Sequence, residues 1–146
     1  AGGLRTPFTK SFTHYSRTRN QEMLTAVIQA MSARFQLKGQ LLGDVALGAV
    51  MTHSSDWNLA REVVLGTDLN PHTPAYNVQR ACGSSLETVN QLAMKIALGQ
   101  IEVGIAGGSD TNSDVAIELQ RAFTWKLLDA RNSKNLGERL KNFLKF

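Results

Sequence analysis

Apolar segments too short to be helices alternate in this chain with helix-length amphipathic ones, and few architectures accept that order. Asp44-Val45-Ala46-Leu47-Gly48-Ala49-Val50 follows Gly43 and is apolar on both faces, as a strand buried in a parallel sheet is. Ile101 to Ala106 reads the same way and ends in Gly107-Gly108-Ser109-Asp110. Ala75 to Ala81, after the Asn70-Pro71-His72-Thr73-Pro74 turn, reads as another strand. Between these lie helices. From Gln21, residues Leu24, Val27, Ile28, Met31 and Phe35 recur at helical spacing, with Gly39 as the expected stop. Asn58 to Leu65 gives a second helix, stopped by Gly66. Leu86, Val89, Ala93, Ile96 and Ala97 share one face of a third, opened by Ser84-Ser85-Leu86-Glu87 in capping-box form and closed by Gly99. Leu4-Arg5-Thr6-Pro7-Phe8 reads as a loop leaving a short first strand. The order β-α-β-α-β-α-β predicts an α/β fold, a parallel sheet with helices on its faces. Beyond Ser113 the pattern is helical, with Leu136, Leu140, Phe143 and Leu144 forming an apolar stripe among basic residues.

The charge is unevenly placed. Residues 1–120 carry 9 basic and 10 acidic side chains, while residues 121–146 carry 7 basic and 2 acidic, so the net +4 arises wholly in the last segment. Such a patch suits a polyanion, a phosphorylated small molecule or an anionic surface, or is simply a solvated helix face. No nucleic-acid motif accompanies it, and no nucleic-acid partner is expected. No apolar run approaches 18 residues and no signal-peptide pattern stands at the start, which predicts a cytoplasmic protein without a transmembrane segment. The chain opens Ala1-Gly2-Gly3 and closes Leu144-Lys145-Phe146 in mid-pattern, so it is expected to be part of a longer protein.

Cys82 is the single cysteine, which leaves no internal disulfide and no multi-cysteine metal site. It falls between a strand end and a helix start. The unpaired N–H groups and positive dipole end of a helix favour an anion there, so the thiolate, the reactive form, is favoured. Gly83 leaves room for a substrate, and the Cys82 N–H could face a developing oxyanion. The competing reading is a buried structural thiol. Among the histidines, His14 suggests no role. His72 lies about 20 Å from Cys82 along an extended strand, at the opposite sheet end. His53 follows the strand at 44–50 and shares the Cys82 edge, although an ordinary loop histidine is the commoner case. Asp110, Asn112 and Asp114 imitate the start of a calcium loop, but Val115 and Arg121 stand where Gly and Glu are needed. No metal site is expected. Gly107-Gly108 suits either a tight turn or close backbone approach.

Four segments, in order, resemble the N-terminal part of the thiolase family, of the acetyl-CoA acetyltransferase and fatty-acid-oxidation type. They are Leu4-Arg5-Thr6-Pro7-Phe8, Asn58-Leu59-Ala60-Arg61-Glu62, Val78-Gln79-Arg80-Ala81-Cys82-Gly83-Ser84-Ser85 and Gly104-Ile105-Ala106-Gly107-Gly108-Ser109-Asp110. The resemblance covers residues 1–120 as a thiolase-like N-terminal half and implies a mixed, mostly parallel sheet with helices on both faces and a clipped first strand; residues 121–146 resemble the start of a cationic loop domain. It implies that Cys82 is acylated by a 3-ketoacyl-CoA or acyl-CoA, with its own backbone N–H as one oxyanion donor. It further implies coenzyme A as substrate rather than a tightly bound cofactor. It places the basic segment, Arg131, Lys134 and Arg139 included, near coenzyme A, and strand 75–81 at the interface of a homodimer or tetramer. A thiolase also uses a His in a Gly-His-Pro setting and a second Cys, and this sequence has neither, so residues 1–146 alone are expected to be inactive. A ketoacyl synthase is the alternative condensing enzyme, although Arg80-Ala81-Cys82-Gly83 and the Arg-Thr-Pro-Phe opening favour thiolase. A non-catalytic fragment that dimerises or binds acyl-CoA is the third reading.

Overall fold

Three glycines on one face of the sheet, Gly48 of the central strand and Gly104 and Gly108 of its neighbour, decide how this chain packs. The structure, a computed structural model, describes residues 2–144. Lys145 of the basic segment and the side chain of Leu144 lie outside the described residues. The chain divides into two units, Ala1–Ala116 and Ile117–Phe146.

The first unit runs α1 (Asn20–Phe35), β1 (Asp44–Gly48), a short 3₁₀ turn (Ser54–Asp56), α2 (Leu59–Leu65), β2 (Ala75–Val78), α3 (Ser84–Ala97) and β3 (Gly104–Gly108). The strands form one sheet in the order β2-β1-β3, parallel throughout the described residues. Every residue of β1 is buried, as its double-faced apolar pattern requires. Side chains alternate across the sheet. Val45 and Leu47 face a core shared with Leu24 and Ile28 of α1 and Leu59, Val63 and Val64 of α2. Each such side chain stabilises the fold by about 1.5–3 kcal/mol over an exposed one. Asp44, Ala46 and Gly48 face the other way, toward α3. There a Cβ on Gly48 would stand 2.7 Å from Cβ of Ser84, and one on Gly108 would run into Ser85 Oγ and the Gly48 carbonyl. Helix and sheet meet backbone to backbone.

This close approach overturns one expectation. The stripe Leu86, Val89 and Ile96 is exposed, and the buried line of α3 is Ser84, Thr88 and Leu92. Small side chains fit a glycine-faced sheet, and Thr88 Oγ1 donates to the Gly107 carbonyl at 3.2 Å. Lys95 Nζ reaches Asp44 Oδ2 at 2.5 Å; that hydrogen bond, with the carboxylate charge, holds the ammonium above the usual lysine range.

Other boundaries moved for identifiable reasons. The strand expected at 101–106 runs Gly104–Gly108, because pairing starts where β1 starts: Asp44 lies opposite Gly104 and Gly48 opposite Gly108. The strand expected to reach Ala81 stops at Val78, opposite Gly48. Helix α1 ends earlier than Gly39. Gln36 takes the left-handed conformation, φ 56°, and its N–H bonds the Ser32 carbonyl. No first strand forms among residues 2–19. Pro7 cannot donate to a ladder, and a cavity of about 510 Å³ lies between Leu4–Ser11, α1 and the residues of β3. The sheet therefore has three strands among the described residues, and the mixed sheet expected from four is a parallel one here. Gly107-Gly108 lies inside β3, serving close approach and not a tight turn.

The second unit holds α4 (Arg121–Asn132) and α5 (Leu136–Leu144). Asn135 Oδ1 accepts the Glu138 N–H at 2.8 Å and caps α5. Arg139 Nε donates to the Ala130 carbonyl at 3.1 Å, and Asn142 Nδ2 to Ser133 Oγ at 3.0 Å. These bonds tie the two helices into a hairpin. No helix among the described residues is long and apolar enough to cross a membrane.

Candidate active site

Because the strands run parallel, their carboxyl ends deliver three segments to one edge of the sheet, where ligands of open α/β sheets bind. Residues 49–57 follow β1, residues 79–83 follow β2 and residues 109–116 follow β3.

The segment after β2 carries Cys82, which is exposed. Its turn is tightly built. The Arg80 carbonyl accepts the Gly83 N–H at 3.0 Å, and the Ala81 carbonyl accepts the Ser84 N–H at 3.1 Å. Ser84 Oγ, almost wholly buried, donates to the Ala81 carbonyl at 2.7 Å and accepts the Arg80 N–H at 2.8 Å. Ala81 takes φ 45°, a left-handed conformation that costs a non-glycine residue about 1–2 kcal/mol. Such strain persists where surrounding bonds over-determine it. It presents Cys82 to solvent two residues before the first helical residue of α3, where the dipole of a 14-residue helix favours a negative group.

The expected capping box does not form. Gly83 is the cap residue, Ser84 is turned to the preceding loop, and Glu87 bonds elsewhere. Its carboxylate accepts from Gln91 Nε2 at 3.0 Å and from Arg80 Nη1 at 2.5 Å. Those two hydrogen bonds, Gln91 first, lower its pKa below the ordinary carboxylate value. The Arg80–Glu87 pair ties the cysteine turn to the first turn of α3.

The other two segments are bound to each other. Asp110 accepts the N–H groups of Val50, at 2.9 and 3.1 Å, and of Met51, at 3.0 Å. His53 Nε2 lies 3.1 Å from Asp114 Oδ2 and 3.3 Å from its carbonyl. Thus two residues of the failed calcium pattern act as clamps on the loop after β1, and no cluster that could hold a metal ion occurs among the described residues. His53 is at the Cys82 edge, as expected, and its ring is engaged by Asp114. His72 precedes β2, at the far end.

Asn77 was not singled out from the sequence. Its Oδ1 accepts the Ala60 N–H at 2.9 Å, and its Nδ2 donates to the Trp57 carbonyl at 2.9 Å, fixing the start of α2 to β2. The available signal was a polar residue inside an otherwise apolar strand. Arg131 lies in the last turn of α4, Lys134 in the turn after it and Arg139 in α5; all three belong to the second unit.

The sequence model of the family described as Thiolase, N-terminal domain, matches residues 1–141. The 3-ketoacyl-CoA thiolases of Yersinia pestis and Yersinia pseudotuberculosis are 36% identical to this chain over 141 residues, which is 97% of it and 32% of each relative. The crystal structure of the Bacillus anthracis acetyl-CoA acetyltransferase superposes with a TM-score of 0.76 at 25% identity, covering 82% of this chain and 30% of that one. The chain thus spans about a third of the length of the relatives it matches. With the cysteine turn, the parallel sheet and these matches together, the chain belongs to the thiolase family through its N-terminal domain.

Proposed function

We propose that this chain carries the nucleophile of a thiolase: Cys82 takes an acyl group from a 3-ketoacyl-CoA or acetyl-CoA and passes it, as a thioester, to coenzyme A. One observation carries the reading. An exposed cysteine sits on a hydrogen-bonded, left-handed turn at the carboxyl end of a parallel strand and at a helix start, in a member of the thiolase family.

In the degradative direction the Cys82 thiolate attacks the C3 carbonyl of the 3-ketoacyl-CoA. Charge moves to the carbonyl oxygen, for which the Cys82 N–H is one donor. Collapse breaks the C2–C3 bond and leaves an acyl thioester on Cys82 and the enolate of acetyl-CoA, which takes up a proton. The coenzyme A thiolate then attacks the thioester carbonyl, releasing the shortened acyl-CoA and the Cys82 thiolate. Run in reverse, the same steps condense two acetyl-CoA molecules.

The base and the acid of this cycle are, by resemblance, a His in a Gly-His-Pro setting and a second Cys, and residues 1–146 contain neither. Arg131, Lys134 and Arg139 are the proposed contacts for the phosphates of coenzyme A, in the start of a cationic loop domain. A homodimer or tetramer built on β2, the part of the expected strand 75–81 that forms, is supported by its place at the edge of the sheet.

The test uses the full-length protein. Incubation with acetyl-CoA followed by digestion should give an acetyl adduct on the Cys82 peptide. Cys82→Ser should lose thiolysis by about 10⁴-fold or more, and residues 1–146 expressed alone should show no turnover. Retained thiolysis in the Cys82→Ser protein, or an adduct elsewhere, overturns the reading.

A further inference from the structure

The cysteine turn and the first turn of α3 carry one charged side chain each, Arg80 and Glu87. Arg80 Nη1 donates to Glu87 Oε2. The other carboxylate oxygen, Oε1, accepts Gln91 Nε2 at 3.0 Å, and Gln91 Oε1 accepts the Tyr76 hydroxyl at 3.1 Å. A row of hydrogen bonds therefore runs from β2 along α3 and ends on the residue two before Cys82. The backbone of Arg80 is held as well: its N–H donates to Ser84 Oγ and its carbonyl accepts the Gly83 N–H. The Arg80 side chain is 72% exposed and that of Glu87 18%, and an ion pair this open to solvent adds little to global stability. Its effect is local. A carboxylate in a first helical turn suits the dipole, but it opposes a second negative group at the same helix start, and the Cys82 thiolate is one. The other charged groups at this edge of the sheet have partners of their own. Asp110 accepts the Val50 and Met51 N–H groups, His53 meets Asp114, and Asp56 accepts from Ser55. Lys95, in the last turn of α3, meets Asp44 and the ring of Tyr76.

We infer that Arg80 is a positioning residue for acyl transfer: paired with Glu87, it fastens the Cys82 turn to α3 and cancels a carboxylate charge that would oppose the thiolate. The inference rests on Cys82 as the nucleophile. It has two separable parts. Arg80→Gln leaves the Glu87 charge uncancelled beside the cysteine turn, which disfavours the thiolate. Glu87→Gln leaves the Arg80 cation uncancelled, which favours it. A tie that matters only for folding has no such sign. Removing both side-chain charges together restores the electrostatic balance but not the tie, so it isolates the positional part.

The experiment follows iodoacetamide labelling of the Cys82 peptide against pH in the full-length protein, with thiolysis kinetics beside it. Arg80→Gln should move the labelling midpoint up by about half a pH unit and Glu87→Gln down by about as much, the size expected of one unit charge at a solvent-exposed place. The double variant should return to the parent's midpoint, while its kcat stays about tenfold lower with KM little changed, because the turn is no longer tied. Arg80 reaches Glu87 through one nitrogen, so Arg80→Lys should restore the midpoint and most of the turnover. Shifts of the same sign in the two single variants, no shift in either, or parental kcat in the double variant would each overturn the inference. Circular dichroism checks folding, and Glu87→Gln decides the sign should Arg80→Gln fail to fold. Acetylation of Cys82 by acetyl-CoA in the parent protein tests the underlying reading separately: its absence removes the nucleophile, whereas the labelling profiles judge the pair.

Discussion

The Ser84 hydroxyl donates to the carbonyl of Ala81 at 2.7 Å, so the first residue of α3 holds the left-handed residue that precedes Cys82. The same oxygen accepts the Arg80 N–H. Ser84→Ala removes both bonds in a buried place and should destabilise the protein by about 1–2 kcal/mol. With the turn free to relax, thiolysis by the full-length protein should fall about tenfold or more, since small displacements of a reacting group are costly. Alkylation of Cys82 by iodoacetamide should slow in parallel. An unchanged alkylation rate would show that Ser84 serves only packing.

Asp110 clamps the loop after β1 through the N–H groups of Val50 and Met51. Bonds from a carboxylate to N–H groups are stronger than neutral ones. Asp110→Ala should therefore speed amide exchange at Val50 and Met51 by about tenfold or more. The amides of Val45 and Leu47, inside the sheet, should stay protected. Uniform acceleration would point to global destabilisation.

Gly108→Ala places a methyl against Ser85 Oγ and the Gly48 carbonyl. The carbonyl belongs to the central strand and cannot swing aside. The substitution should cost about 1–3 kcal/mol, read as a lower midpoint in denaturant. Gly3→Ala, where no atom lies within 4 Å of the added carbon, is the control and should leave the midpoint unchanged.

The Lys95–Asp44 bond predicts a pH dependence. Lys95 holds its proton more tightly folded than unfolded, mainly through the hydrogen bond to Asp44. Its contribution is complete below the ordinary lysine value of 10.5 and is lost as pH climbs through the raised folded value. Lys95→Met leaves the buried Asp44 carboxylate without this partner and should destabilise by about 1–3 kcal/mol at pH 8. The gap between parent and variant should close above pH 10.5. A gap that persists into alkaline solution would assign the effect to lost packing of the lysine stem.

The sequence made the parallel order legible because β1 is apolar on both faces and helix-length amphipathic segments separate the strands. It also placed Cys82, since the apolar spacing of a helix begins just after Gly83 and the two serines. What it hid depends on partners distant along the chain. The buried side of α3 is lined by Ser84, Thr88 and Leu92 because the sheet opposite is glycine, so the conspicuous apolar stripe of Leu86, Val89 and Ile96 pointed the wrong way. The start of β3 is set by Asp44, 60 residues earlier in the chain. The work of Asn77 and Asp110 lies in bonds to backbone 17 and 60 residues away, which no local spacing reveals.

The shared register of the three strands also governs how this sheet tolerates changes of length. One residue added inside β1 would turn Gly48 away from Ser84, carry Val45 and Leu47 out of the core, and shift both neighbouring strands by a step. The same residue added at 111–113, between the Asp110 and Asp114 clamps, interrupts no strand pairing. Changes of length are therefore resisted by the strands, whose shared register fixes where the Cys82 turn begins.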